Sequence, residues 1–176
     1  MNSMSKHIKK ALFWAALFSL SACGFHFQTG QLVPKELQTL TFESSDPYSD
    51  MSMAMRRQLQ LNNIKLVDAA ENVPVLKITK ISSNDEVVSV FKQGREAEKM
   101  LMLDVNATVR FPHKEAYPIS TRVNRTFFDN SRAALAKSSE KEIMWRDMRE
   151  QAARQLLSKM VALQHQVDHK PASETK

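Results

Sequence analysis

The only cysteine of this 176-residue chain, Cys23, directly follows Leu20-Ser21-Ala22. A thiol can serve as nucleophile, metal ligand or half of a disulfide, but one alone closes no bridge within its chain. Acylation is the modification that needs one thiol and no partner. The five histidines offer less chemistry. His165 and His169 have the four-residue spacing of a metal pair on a helix, but they sit in a polar tail with no third ligand at a recognisable distance, so no metal site is expected. His7, His26 and His113 are isolated, and the three glycines are too scattered for a phosphate loop. No paired acid, nucleophile with base, or metal set assembles, so no catalytic residue and no enzyme is expected.

The remaining charged chemistry is cationic. From Lys92 to Lys137 there are nine Lys/Arg against five Asp/Glu. Lys92 and Arg95 flank a Gln-Gly turn, and Arg132 and Lys137 follow the last predicted strand. Cations at two turns of one sheet can meet the phosphates of a single ligand together. Hairpin tips are also ordinarily charged and solvated, and composition alone favours that blander account.

The amino terminus reads as a targeting segment. Lys6, His7, Lys9 and Lys10 precede an apolar run of ten residues from Ala11 to Leu20, half of the roughly 20 that a membrane-spanning helix needs. With the Leu-Ser-Ala-Cys ending, this resembles a bacterial lipoprotein signal over residues 1–22, cleaved before a lipidated Cys23. Gly24 behind it, in place of Asp, resembles lipoproteins forwarded to the outer membrane. Removal of the signal leaves 154 residues with a formal charge of about +3, enough for one domain and too weakly basic for a general nucleic-acid binder.

The elements that must position these groups are mostly strands. Leu101, Leu103, Val105, Ala107, Val109 and Phe111 alternate with polar residues, the period of a half-buried strand. Val87 to Phe91 before it and Ile119 to Phe128 after it complete a meander. Further strands are expected at Gly24 to Gln28, Leu37 to Phe42 and Val75 to Ile81, with Ile64 to Val67 as a short strand or helix exit. Met51, Met55 and Leu59 recur every four residues after Ser49-Asp50 and stop at Asn62-Asn63, predicting a first helix. A short helical piece is expected from Arg132 to Lys137. Ser139 and Glu142 then form a Ser-x-x-Glu capping pattern, and a second helix is expected from about Glu140 to Leu163, with Met144, Met148, Ala152, Leu156, Met160 and Leu163 on one stripe. The reading is one α+β domain over residues 23–164, a four- to five-stranded sheet with two helices packed on one face, and a disordered polar tail over 165–176.

Several stretches together resemble one family. They are Cys23-Gly24-Phe25-His26, Arg57-Gln58-Leu59-Gln60-Leu61-Asn62, Val88-Ser89-Val90-Phe91-Lys92-Gln93-Gly94, Val105-Asn106-Ala107-Thr108-Val109, Tyr117-Pro118-Ile119-Ser120, and Phe127-Phe128-Asp129-Asn130 with Ala134-Leu135-Ala136-Lys137. Their order and spacing resemble the LptE family of lipopolysaccharide-assembly lipoproteins from Cys23 to about Leu163. The resemblance implies a lipid-anchored protein on the periplasmic side of the outer membrane that plugs the lumen of the β-barrel LptD one-to-one, supports its assembly and binds lipopolysaccharide. It carries lipopolysaccharide contacts onto Lys92 and Lys137. Arg95 and Arg132 join them by proximity in sequence. No cofactor is implied beyond the covalent lipid. Two other classes stay open: an accessory lipoprotein of another barrel-assembly machine that does not bind lipopolysaccharide, and a periplasmic enzyme on a lipid tether.

Overall fold

A computed structural model describes residues 33–90, 96–130 and 134–169. Cys23 and the expected strand at Gly24 to Gln28 lie outside the described residues, as does the start of the expected domain. A 3-10 turn, Lys35–Leu37, leads into β1 (Thr39–Ser44). Helix α1 (Asp50–Leu61) and the two-residue β2 (Lys65–Leu66) follow. The long strands β3 (Val75–Val90), β4 (Glu96–Arg110) and β5 (Ala116–Asn130) come next, and α2 (Ala134–His169) ends the described chain. The sheet order is β2-β1-β3-β4-β5, with β1 parallel to both of its neighbours and the β3-β4-β5 meander antiparallel.

The alternation in β4 works as its sequence predicts. Leu101, Leu103, Val105, Ala107 and Val109 are buried, and the register places Val123, Thr121, Ile119 and Tyr117 of β5 beside the last four on the same face. Both helices cover that face. In α1, Met51, Met55 and Leu59 are buried, and in α2 the stripe of Met148, Ala152, Leu156 and Met160 is fully buried, widened by Ala153 and Leu157. Four methionines thus stand in the centre of the core, where their unbranched thioethers fill irregular space between helix and sheet.

The start of α1 is fixed by hydroxyls. The Ser49 Oγ accepts from the Ser52 N–H at 3.3 Å, the role expected of an N-cap, while the buried Ser52 Oγ donates to the Asp46 carbonyl at 2.7 Å. The end is equally local. Asn63 takes a left-handed φ of 59°, which Asn tolerates better than most residues and which stops a helix. Charged pairs join the helices across their outer sides: Arg57 to Glu150 at 3.2 Å and Arg149 to Asp50 at 3.2 Å.

Three expectations are corrected. The two strands read at Val75 to Ile81 and from Val87 onward are one strand, because Ser82-Ser83-Asn84-Asp85, a turn-like composition, pairs residue for residue with Leu101 to Asp104. Cross-strand partners override local preference here. The short helical piece and the second helix are likewise one helix. Ser138 and Ser139 do not cap; both hydroxyls donate to the Leu135 carbonyl, at 2.8 and 3.2 Å, satisfying themselves inside a continuous helix. Part of the span expected to be a disordered tail is helical. The helix runs on through His169, with Gln164 buried and Val167 packed on the core.

Candidate functional site

The meander decides where the cationic turns begin and end. Val90 pairs with Ala97, and Glu96 pairs with Asn130. The residues flanking 91–95 and 131–133 are therefore neighbours at one end of the sheet. Lys92, Arg95 and Arg132 themselves lie outside the described residues.

Lys137 is described, in the first turn of α2. Its ammonium sits 5.5 Å from the centre of the Phe127 ring and donates to the Glu140 Oε2 at 2.8 Å. The side chain is only a quarter exposed. Phe127 is buried in the last part of β5, so its ring face holds the cation in place by the attraction between charge and quadrupole. Lys137 is thus a positioned and partly neutralised charge, unlike the free turn cation that its sequence suggests.

Two further lysines belong to this end and escape notice in the sequence. The register sets Val87, Lys99 and Phe127 side by side on the helix-covered face. One row further in, Asp85 stands beside Leu101 and receives a hydrogen bond from Lys141 Nζ at 2.6 Å. That hydrogen bond, with the charge of Lys141 behind it, holds the Asp85 carboxyl below the usual carboxylate range; slight burial opposes the shift and Lys99 adds to it. Lys99, Lys137 and Lys141 therefore gather between α2 and the sheet. The available signal was the four-residue spacing of Lys137 and Lys141 on a helix, hidden when the helix is started at Glu140.

Exposed apolar side chains stand on the same elements. Val87, Val88, Phe128, Leu135 and Ile143 are each at least half exposed, all on the elements that form this end of the sheet. Lys99 stands directly beside exposed Val87, and an ammonium group next to an exposed aliphatic side chain suits an anionic amphiphile better than a soluble anion.

Other depressions have different character. An apolar cleft of about 260 Å³ between the helices is lined by Val33, Gln58, Leu157 and Val161. On the uncovered face of the sheet, Lys80, Asp104, Arg122 and Lys159 border a shallow polar depression of about 510 Å³. Arg122 is bound there to Asp104 at 2.5 Å, which raises the guanidinium pKa further. His113 occupies the β4–β5 turn with φ of 59°. Among the described residues no group of three or more His, Cys, Asp or Glu could hold a metal ion, and no helix is long and apolar enough to cross a membrane.

Known proteins resemble this chain in sequence and in fold. The pattern of the family described as "LptE: Lipopolysaccharide-assembly" matches residues 37–160. The chain is 42% identical over 172 residues to the LPS-assembly lipoprotein LptE of Photorhabdus laumondii, covering 97% of this chain and 94% of that protein. It is 43% identical over 150 residues to the LPS-assembly lipoprotein LptE of Pectobacterium atrosepticum, covering 84% and 82%. The crystal structure of the rare lipoprotein B from Shewanella oneidensis superposes with a TM-score of 0.70 at 38% identity, over 74% of this chain and 99% of that one. That agreement bears out the α+β reading, with five strands and two helices on one face of the sheet among the described residues. With the matched span reaching from Leu37 to Met160, both fully buried, the chain belongs to the LptE lipopolysaccharide-assembly family.

Proposed function

We propose that this chain is an outer-membrane lipoprotein, anchored by a lipid on Cys23, that plugs the lumen of the β-barrel LptD one-to-one and binds lipopolysaccharide on its way to the outer leaflet. The observation that carries the reading is Lys137, held over Phe127 at the end of the sheet where Lys99 and Lys141 gather and where the turns bearing Lys92, Arg95 and Arg132 begin and end. Lipid A offers phosphates and acyl chains in one molecule. An ammonium group next to exposed Val87, with Val88, Phe128 and Leu135 exposed on the same elements, matches both parts, with charge-assisted hydrogen bonds to the phosphates and apolar contact for the chains.

The role is electrostatic and mechanical. The five-stranded sheet and its two helices form the body that would fill the barrel, and its polar uncovered face, with Asn106, Arg122 and Asn124 exposed, suits a hydrated barrel interior. The cationic end would compete for phosphates within aggregated lipopolysaccharide and so release single molecules to the barrel.

Replacing Lys92 and Lys137 together with Asp tests the reading. Lipopolysaccharide binding is expected to weaken by at least about tenfold, with the circular dichroism spectrum and co-purification of the barrel unchanged. Unchanged affinity would remove the cationic end from the mechanism. A mild-detergent pull-down from the native envelope addresses the partner: one large β-barrel near one-to-one, together with lipopolysaccharide, is expected. Recovery of a different barrel-assembly machine would replace the partner.

A further inference from the structure

Strand β3 is covered along one edge by β4 throughout, but along the other edge by β1 only at Val75 to Ile78. Beyond Ser44 the chain turns away into α1, and from Thr79 onward no described residue pairs with that edge of β3. Two register irregularities, between Ile78 and Lys80 and between Val87 and Ser89, bracket a regular run from Lys80 to Val87. An open edge of this length carries a row of unpaired N–H and C=O groups, a template for another strand.

The side chains along the run are self-complementary. On the uncovered face, Lys80, Ser82, Asn84 and Glu86 alternate with Ile81, Ser83 and Asp85 on the helix side, as their partners in β4 dictate. Lys80 and Glu86 have opposite charge and lie three residues either side of Ser83. Neither has an ion-pair partner among the described residues. If a second β3 lies antiparallel against the first with its two-fold axis at Ser83, Lys80 falls opposite Glu86 of the other copy, twice by symmetry. Ser82 then meets Asn84. A shift of two residues in either direction breaks both charged pairs, so the charges select one register.

We infer that the free edge of β3, from Lys80 to Glu86, is an interface between two copies of this chain, joined antiparallel about Ser83 into one continuous sheet. The pairing is isologous and closes at two copies. It requires only the edge and its charges, so it stands independently of the lipopolysaccharide reading. A chain seated in a barrel as a single plug would give up this contact, which belongs to the lipoprotein before it meets its partner.

The test uses the full chain in mild detergent. A Ser83→Cys variant places two thiols across the two-fold axis, where opposed Cα atoms of an antiparallel pair are about 4.5 to 5.5 Å apart, within disulfide range. Mild oxidation is expected to give a crosslinked dimer absent from the parent chain. Adding Lys80→Glu is expected to cut the yield by about tenfold, since two attractive pairs become repulsive. Adding Glu86→Lys as well restores it. All three positions are exposed or half-buried on the edge, so folding is not at stake, and circular dichroism checks it. Absence of the crosslink overturns the inference, whether the edge is filled by the amino-terminal residues of the same chain or left open. A crosslink indifferent to the charge reversals overturns it too.

Discussion

The Lys141 ammonium and the Asp85 carboxylate meet at 2.6 Å across 56 residues of sequence, tying the early turns of the long helix α2 to the otherwise sparsely covered part of strand β3. Both groups remain accessible, at 32% and 42% exposed, so the pair orients the two elements more than it stabilises them.

The pair predicts a modest pH dependence. Hydrogen bonding by Lys141 depresses the folded-state pKa of Asp85. A depressed carboxylate contributes stability above its unfolded pKa of about 3.9 and loses it as the pH falls through the folded value. Asp85→Asn is therefore expected to cost less than about 1 kcal/mol at pH 7, with the difference from the parent vanishing in strong acid. Urea unfolding at neutral pH and below the carboxylate range measures this.

The cation held over Phe127 predicts a coupling between core and ligand. Phe127→Leu keeps the site apolar but removes the ring quadrupole, worth about 0.5 to 1 kcal/mol. Lipopolysaccharide affinity is expected to fall a few-fold although every cation is retained. In a Lys137→Gln background the same change should have no further effect, which a double-mutant cycle of binding affinities detects.

In the core, Leu156 is fully buried on α2 amid the side chains of the meander. Leu156→Ala is expected to lower unfolding free energy by about 2 to 5 kcal/mol, a large fraction of the stability of a domain this size. Chemical denaturation monitored at Trp145, which packs at the core margin, reads it directly.

At the start of α1, Ser49→Ala removes the cap to the Ser52 N–H and is expected to cost about 1 kcal/mol. Ser52→Ala removes the hydroxyl that reaches the Asp46 carbonyl and is expected to cost a similar amount. Because the two hydroxyls also contact each other at 2.9 Å, the double variant should cost less than the sum.

The strands and helix faces were legible because their periods are strong: Leu101 to Val109 alternate, and Met51, Met55 and Leu59 recur by fours, and all are buried as those periods demand. What the sequence concealed lies where side chains found uncommon partners. Ser138 and Ser139 look like a helix start but hydrogen-bond backward to Leu135, and Ser82 to Asp85 look like a turn but pair with β4. The site was hidden for the same reason. Lys99 and Lys141 join Lys137 only once β3 is continuous and α2 begins at Ala134, and neither fact follows from local composition.

The methionines of the core carry a consequence for oxidative stress. Met51, Met55, Met148 and Met160 are at most 2% exposed, out of reach of peroxide while the domain is folded, whereas Met53 is 47% exposed and offers its sulfur freely. Conversion to the sulfoxide would put a polar group into the hydrophobic core. Oxidation of the inner four must therefore wait for the domain to open, after which the damaged chain cannot reclose on the same core. Their rate of sulfoxidation, set against that of Met53, is a built-in gauge of how often this domain unfolds.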